Sequence, residues 1–252
     1  MSGWMIGVPT GAKLNELFIF AAMLWTIHQV VAVSTAFFFN HMHKNNWFPH
    51  WRFDNGKAPR APLYRSAWKE WFFNHILILP LLMGFVLYPL FVMRGGSMTA
   101  SWPSVWEVLY HIAACLFINE TIFYFSHRLL HSKKLFRLIH RKHHAFRQVR
   151  PVCSEYAHPF ENALNLTAMY AGLILMGSHF LTWGIWVAIR IYETNDGHSG
   201  YAHIDSASRH AYHHLFPNKG CYGTALGFWD WLLGTDKNWR AWKAKEAKKT
   251  PA

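Results

Sequence analysis

The sequence predicts an all-α integral membrane protein: three transmembrane helices and a re-entrant helical hairpin beneath a cytosolic, histidine-rich cap that holds a dimetal site. Three observations carry that expectation. Hydrophobic residues make up 52% of the 252-residue chain and gather in long runs, and about 20 consecutive apolar residues suffice to cross a bilayer as a helix. Basic residues crowd into 41–69 and 128–150 while 94–103 carries one, the asymmetry of cytoplasmic loops beside membrane spans. Ten of the 18 histidines fall into four tight sets: His127 and His131; His140, His143 and His144; His198 and His203; His210, His213 and His214.

In chain order, the N-terminus MSGWMIGVPTGAKLNEL lacks the basic start and short apolar core of a cleaved leader, so the first span, about 14–39, is expected to stay as an anchor. The second span covers about 71–93. The third covers about 104–125 and is interrupted by Glu107, His111, Asn119 and Glu120. A fourth apolar stretch, about 163–192, separates histidine sets that must meet on one side of the membrane, so it has to enter and return. Two helices of roughly 14 to 15 residues, about 22 Å each, turning at Gly177-Ser178, satisfy that condition; backbone at depth is tolerated where protein buries it. Segments 126–160 and 193–242 then form the cap of a single domain, 1–242, and the charged tail 243–252 is expected to be disordered.

The formal charge of +12 is read as topology and contact with anionic lipid, not as nucleic-acid binding. Cys115, Cys153 and Cys221 lack CxxC spacing and are read as free thiols in a reducing compartment.

The sets HRLLH, HRKHH and HAYHH space their histidines at i+3 or i+4, which on a helix shares one face. Neutral imidazole ligates iron, zinc, copper and nickel, and ten converging imidazoles suffice for two ions. His28, His41, His43, His50, His75, His111 and His179 stand alone and are read as ordinary surface or core residues. There is no HExxH, and Glu155 to His158 is the one ExxH, whereas a ferritin-like di-iron site needs two. A histidine-dominated site remains, and imidazole alone does not separate iron from zinc.

The stretch from Glu120 to Asp236 contains FYFSHRLLH, HRKHH, SEYAHPFE, RIYETNDGHSGY, RHAYHH and FWDWLLGTD. In that order these resemble the fatty acid hydroxylase/sterol desaturase superfamily of histidine-box di-iron membrane oxygenases, and most nearly its sterol C4-methyl oxidases. The resemblance implies two iron ions (zinc as an inactive substitute), dioxygen as co-substrate, and oxidation of an unactivated C–H bond in a sterol, fatty acyl or terpenoid lipid. It also implies a cytosol-facing site, in the endoplasmic reticulum of a eukaryote or the inner membrane of a bacterium. No GxGxxG loop follows a strand, so electrons are expected from a b-type cytochrome or a ferredoxin with its reductase.

Carried over by position, the metal ligands are His127, His131, His140, His143, His144, His198, His210, His213 and His214. His203 is added although AHID replaces the apolar, proline-containing run of sterol C4-methyl oxidases, because fatty acid hydroxylases place a second histidine near there. Ligand histidines usually donate their other ring N–H to a carboxylate or carbonyl; Glu120, Glu155 and Asp196 are the candidates, with Asp230 and Asp236 nearby. His158 is read as a neighbour of the metals or a helix cap. The rival readings are a desaturase on the same scaffold and a membrane metal transporter or storage protein, whose ligands belong near the membrane midplane.

Overall fold

The computed structural model describes residues 11–53 and 57–247; the start of the N-terminal segment and residues 248–252 of the expected tail lie outside it. Five long helices form a bundle. Helix α1 is Gly11–Lys44, α2 is the rod Ala61–Met93, α3 is Val105–Leu130, α4 is Pro159–Met176 and α5 is Phe180–Gly197. Shorter α6 (Asp205–Leu215), α7 (Phe228–Leu233) and α8 (Lys237–Ala247) build the cap with the turns between α3 and α4. Among the described residues there is no strand, and one isolated bridge, Arg52 to Tyr201, ties the segment after α1 to the cap.

Helices α1, α2 and α3 are long and apolar enough to cross a membrane. Only 28, 33 and 22% of their most apolar windows is buried inside the molecule, so most of that apolar surface, including Phe37, Phe85 and Trp106, faces outward, as lipid contact requires. Ser104 starts α3 by accepting the Glu107 N–H at 3.1 Å, a serine N-cap. Rod α2 contains two π turns, Asn74–Ile78 and Met83–Leu87. Pro80 and Pro89 follow them, and since proline lacks an N–H and crowds the carbonyl four residues back, the wider turns absorb both without breaking the rod.

Helix α3 packs along α4 and α1 along α5, around a core that includes Phe20, Leu24, Met83, Phe91, Leu173, Trp183 and Trp186. A Cβ on Gly172 would lie 2.8 Å from Cys115 Cα, so glycine is what lets α3 and α4 approach. Helices α4 and α5 do form a hairpin: α4 ends on Gly177 in the left-handed region (φ 60°) and His179 caps α5 through Leu181 N. Each is 18 residues, longer than the sequence suggested. Polar residues at the cap end of each, Glu161 and Asn162 on α4 and Glu193, Asn195 and Asp196 on α5, hide those turns from an apolar-run reading. The hairpin tip meets the loop after α2, where Arg94 donates to the Ile174 and Leu175 carbonyls at 2.9 and 3.1 Å.

The tail also differs from expectation. Helix α8 continues through Ala247, because Trp239 is buried against Ser208 and Lys243 pairs with Asp205. His158 proves to be a cap: its Nδ1 accepts from Phe160 N at the start of α4.

Candidate metal centre

The cap-side ends of the long helices and the turns between them carry the histidines together. His127 lies on the last turns of α3 and His131 is its C-cap; His198 is the C-cap of α5; His210, His213 and His214 lie on α6. HRKHH is not one regular helix. His140 ends a π turn, Phe136–His140, and His143 opens a 3-10 turn, His143–Ala145.

Nine imidazoles sort into two groups, with the donor atoms of each within 4.8 Å of one another: His127, His131, His140, His144 and His213, then His143, His198, His210 and His214. In the first, Nε2–Nε2 distances are 3.0 Å for His127–His140 and His140–His144, and 3.1 Å for His144–His213 and His131–His213. In the second they are 3.0 Å for His198–His210, 3.2 Å from His214 to each of these, and 3.4 Å for His143–His198. Donors about 2.0–2.1 Å from one ion stand roughly 2.9–3.4 Å apart in octahedral or tetrahedral array, so both groups have the spacing of a ligand shell.

The sorting follows residue spacing. The i, i+4 pairs His127/His131, His140/His144 and His210/His214 each stay within one group, while His143 and His213 cross to the other. Adjacent residues on α6 diverge by about 100°, so His213 and His214 address different groups. An adjacent HH is thus how one segment contributes to both groups.

Outer-nitrogen partners fix the tautomers. His127 Nδ1 donates to Tyr222 O at 2.9 Å, His213 Nδ1 to Gly220 O at 2.9 Å, His198 Nδ1 to Thr194 O at 2.8 Å and His214 Nδ1 to Phe146 O at 3.1 Å. A carbonyl only accepts, so these rings are protonated at Nδ1 and turn an Nε2 lone pair inward. His140 Nδ1 lies 2.8 Å from Glu161 Oε1, both side chains being buried. Burial, then repulsion from neighbouring imidazoles, holds His131, His140, His144, His210 and His214 well below the ordinary 6.5. Burial holds His198 at about 4. Neutral lone pairs crowded at these distances repel one another in the absence of a cation, so the residues present fit bound metal.

Other predicted site residues fall elsewhere. His203 stands outside both groups, its Nε2 3.2 Å from Asp196 Oδ1, because the chain after His198 turns away to pair with the segment after α1 through Ala202 N and Trp51 O at 2.7 Å. Asp196 therefore faces His203. Glu155 pairs with His75 Nε2 at 2.7 Å. Glu120, buried on α3, accepts from Thr224 N at 3.1 Å and Phe228 N at 3.2 Å, and Asp230 accepts from Tyr222 N at 2.9 Å and Gly223 N at 2.7 Å. Both hold the loop whose carbonyls orient His127 and His213. A Cβ on Gly223 would sit 2.7 Å from Glu120 Oε1 and 2.8 Å from Asp230 Oδ2, so that loop closes only around glycine. The carboxylate touching a grouped histidine is Glu161, which the sequence reading passed over; its signal is an acidic residue at the start of an apolar helix, in HPFE.

Below the groups opens a cavity of about 1400 Å³ counting its mouth. His127, His140, His143, His198 and His210 form one wall, and Ile78, Leu79, Phe123, Leu166, Met169 and Ile191 supply apolar surface.

Comparison with known proteins agrees with this arrangement. The fatty acid hydroxylase family profile matches residues 112–235. Methylsterol monooxygenase 2-2 of Arabidopsis thaliana is 35% identical over 177 residues, 66% of each chain. Very-long-chain aldehyde decarbonylase GL1-8 of Oryza sativa subsp. indica is 35% identical over 173 residues, 64% of this chain and 65% of the relative. Methylsterol monooxygenase 2-1 of Arabidopsis thaliana is 33% identical over 190 residues, 66% of this chain and 69% of the relative. The first of these relatives are thus spanned over 65–66% of their length. No solved structure matches. With the profile match over the histidine boxes and a relative 33% identical of which 69% is covered, the chain belongs to the fatty acid hydroxylase family.

Proposed function

We propose that the protein is a membrane-bound non-haem di-iron monooxygenase that hydroxylates an unactivated C–H or methyl group of a lipid, with dioxygen and two electrons from a separate donor. The observation that carries this reading is the pair of buried imidazole groups opening onto a largely apolar cavity. His127, His131, His140, His144 and His213 would hold one iron, and His143, His198, His210 and His214 the other. When bound, the iron pair supplies dioxygen activation and C–H oxidation. The chain supplies the rest. Tyr222, Gly220, Thr194 and Phe146 carbonyls keep the Nδ1 protons in place and the rings fixed, and the Glu161 carboxyl stands 2.8 Å from His140 Nδ1. The apolar cavity wall binds the lipid and excludes water from its reacting carbon.

In this reading α1, α2 and α3 cross the bilayer, the α4–α5 hairpin enters from the cap side and returns, and the cap faces the cytosol as part of one membrane-embedded domain. The exposed basic residues Lys133, Lys134, Arg137 and Arg141 beside the centre suit an acidic haem or iron–sulfur electron donor. The methylsterol monooxygenase relatives favour a sterol-like substrate. A second reading, removal of the carbonyl carbon from a long-chain aldehyde, is favoured by the rice relatives at equal identity. Lipid mass spectrometry of cells with and without the protein tests both. A gain of one oxygen supports hydroxylation, a hydrocarbon one carbon shorter supports the second reading, and unchanged lipids in an iron-loaded, electron-supplied membrane would refute both.

A further inference from the structure

A third set of donors lies apart from the nine. His28 on α1, His75 in the π turn of α2 and Glu155 at the end of the 3-10 turn Pro151–Glu155 bring two ring nitrogens and a carboxylate oxygen within 4.8 Å of one another. His28 is 3% and His75 0% exposed. Two histidines buried on spans, meeting a carboxylate from the cap, are costly unless they serve one another or a ligand.

Hydrogen bonding around the set prepares His75 as a ligand. Its Nδ1 meets the Gln29 side-chain amide at 2.8 Å, which holds the ring in place with Nε2 turned away from Gln29. Its Nε2 lies 2.7 Å from Glu155 Oε1, so ring and carboxylate face one point that a ring proton or a bound cation can occupy. Trp71 stacks on the His75 ring with centroids 3.8 Å apart, and Trp25 Nε1 donates to the His75 carbonyl at 2.7 Å, fixing the π turn. His28 Nδ1 is buried with no hydrogen-bond partner among the described residues. His28 and Glu155 also line the cavity shared with the nine-histidine centre.

We propose that His28, His75 and Glu155 form a further binding site for one divalent cation of zinc or ferrous-iron type, with open coordination positions toward the cavity. Two imidazoles and one carboxylate are a donor set that such ions take with positions left open. Gln29 is the outer partner at His75 Nδ1, the place such a partner takes behind a ligand histidine. The site is independent of the iron assignment above.

The test is metal stoichiometry of the full chain in nanodiscs, stripped with chelator, titrated with Zn²⁺ alone and assayed by elemental analysis. The expected result is three ions per chain in the wild type, two in both His28→Ala and Glu155→Gln, and fewer than three but at least one in the double variant His143→Ala/His213→Ala. Two ions in the wild type that His28→Ala and Glu155→Gln both retain overturn the proposal, and leave His75 and Glu155 a hydrogen-bonded pair. Three ions in folded His28→Ala and Glu155→Gln overturns it equally. A wild type holding one ion that His28→Ala removes would instead uphold this site and sink the di-iron reading.

Discussion

Glu161 offers the most exacting check on how the centre is held. Its Oε1 is 2.8 Å from His140 Nδ1, and at 2% and 1% exposure neither side chain has water as a substitute partner. A group that orients a ligand imidazole is typically worth about 10- to 100-fold in metal affinity, or about 1.4–2.7 kcal/mol. Glu161→Ala should weaken the ion bound by His140 by that factor, and Glu161→Gln by less, since an amide oxygen still accepts. The pH dependence sharpens the test. In the metal-free protein burial pushes the Glu161 carboxyl up to about 8, with Lys142 pulling it back. Binding at His140 favours the carboxylate, so below about pH 8 one proton must leave Glu161, and affinity falls about tenfold per pH unit as the medium acidifies. The nine grouped histidines, held neutral far lower by burial, contribute no proton release in that window. Competition for Zn²⁺ against a chelator between pH 6 and 9 reads both effects: the advantage of wild type over Glu161→Gln should be largest at pH 9 and shrink toward pH 6. Equal affinities at pH 9, or the same pH slope in both proteins, would refute the role assigned to Glu161.

His143→Ala and His213→Ala should each lose about one bound ion, measured by elemental analysis, because each removes a donor from a different group. Gly172→Val should destabilise the bundle by about 1–3 kcal/mol in denaturant titration, since its Cβ meets the Cys115 backbone. Single cysteines at the exposed positions Arg147 and Lys219 should react with a membrane-impermeant reagent from the same side, and one at Thr99 from the other; Cys153 and Cys221 are buried and serve poorly as probes. His203→Ala should keep wild-type metal content while leaving Asp196 without its partner. Metal loss equal to that of His198→Ala would return His203 to the ligand set.

What was legible in the sequence is what spacing and hydropathy encode. The three long apolar helices and the turn at Gly177 follow from apolar runs, eight of the nine grouped histidines from i+3 and i+4 spacing, and His198 from the family resemblance. The division into two groups was equally available in the adjacent HH pairs but needs the angular step per residue to be applied. His203 misleads because five residues after His198 is near in sequence, yet the Ala202–Trp51 hydrogen bond carries it to the rim. His28 and His75 read as ordinary because each is alone in sequence; only the packing of α1 against α2 and of both against the turn ending at Glu155 brings them together. The carbonyls of Tyr222, Gly220, Phe146 and Thr194 leave no side-chain signature at all.

That last point explains where the acidic residues went. Five carboxylates near the boxes suggested direct pairing with ligand rings, yet Glu120 and Asp230 bond instead to backbone N–H groups of residues 222–228. Those bonds fix a loop, and the loop's carbonyls at Gly220 and Tyr222 take the protons of His213 and His127. Glu120 stands two helical turns before His127 on the same face of α3, so one helix supplies both the imidazole and the clamp on its hydrogen-bond acceptor. A carbonyl behind the ring is uncharged and cannot be protonated in the ordinary pH range, so these rings keep one tautomer as pH changes. Glu161 is the exception, which is why the pH response of the whole centre is expected to run through His140.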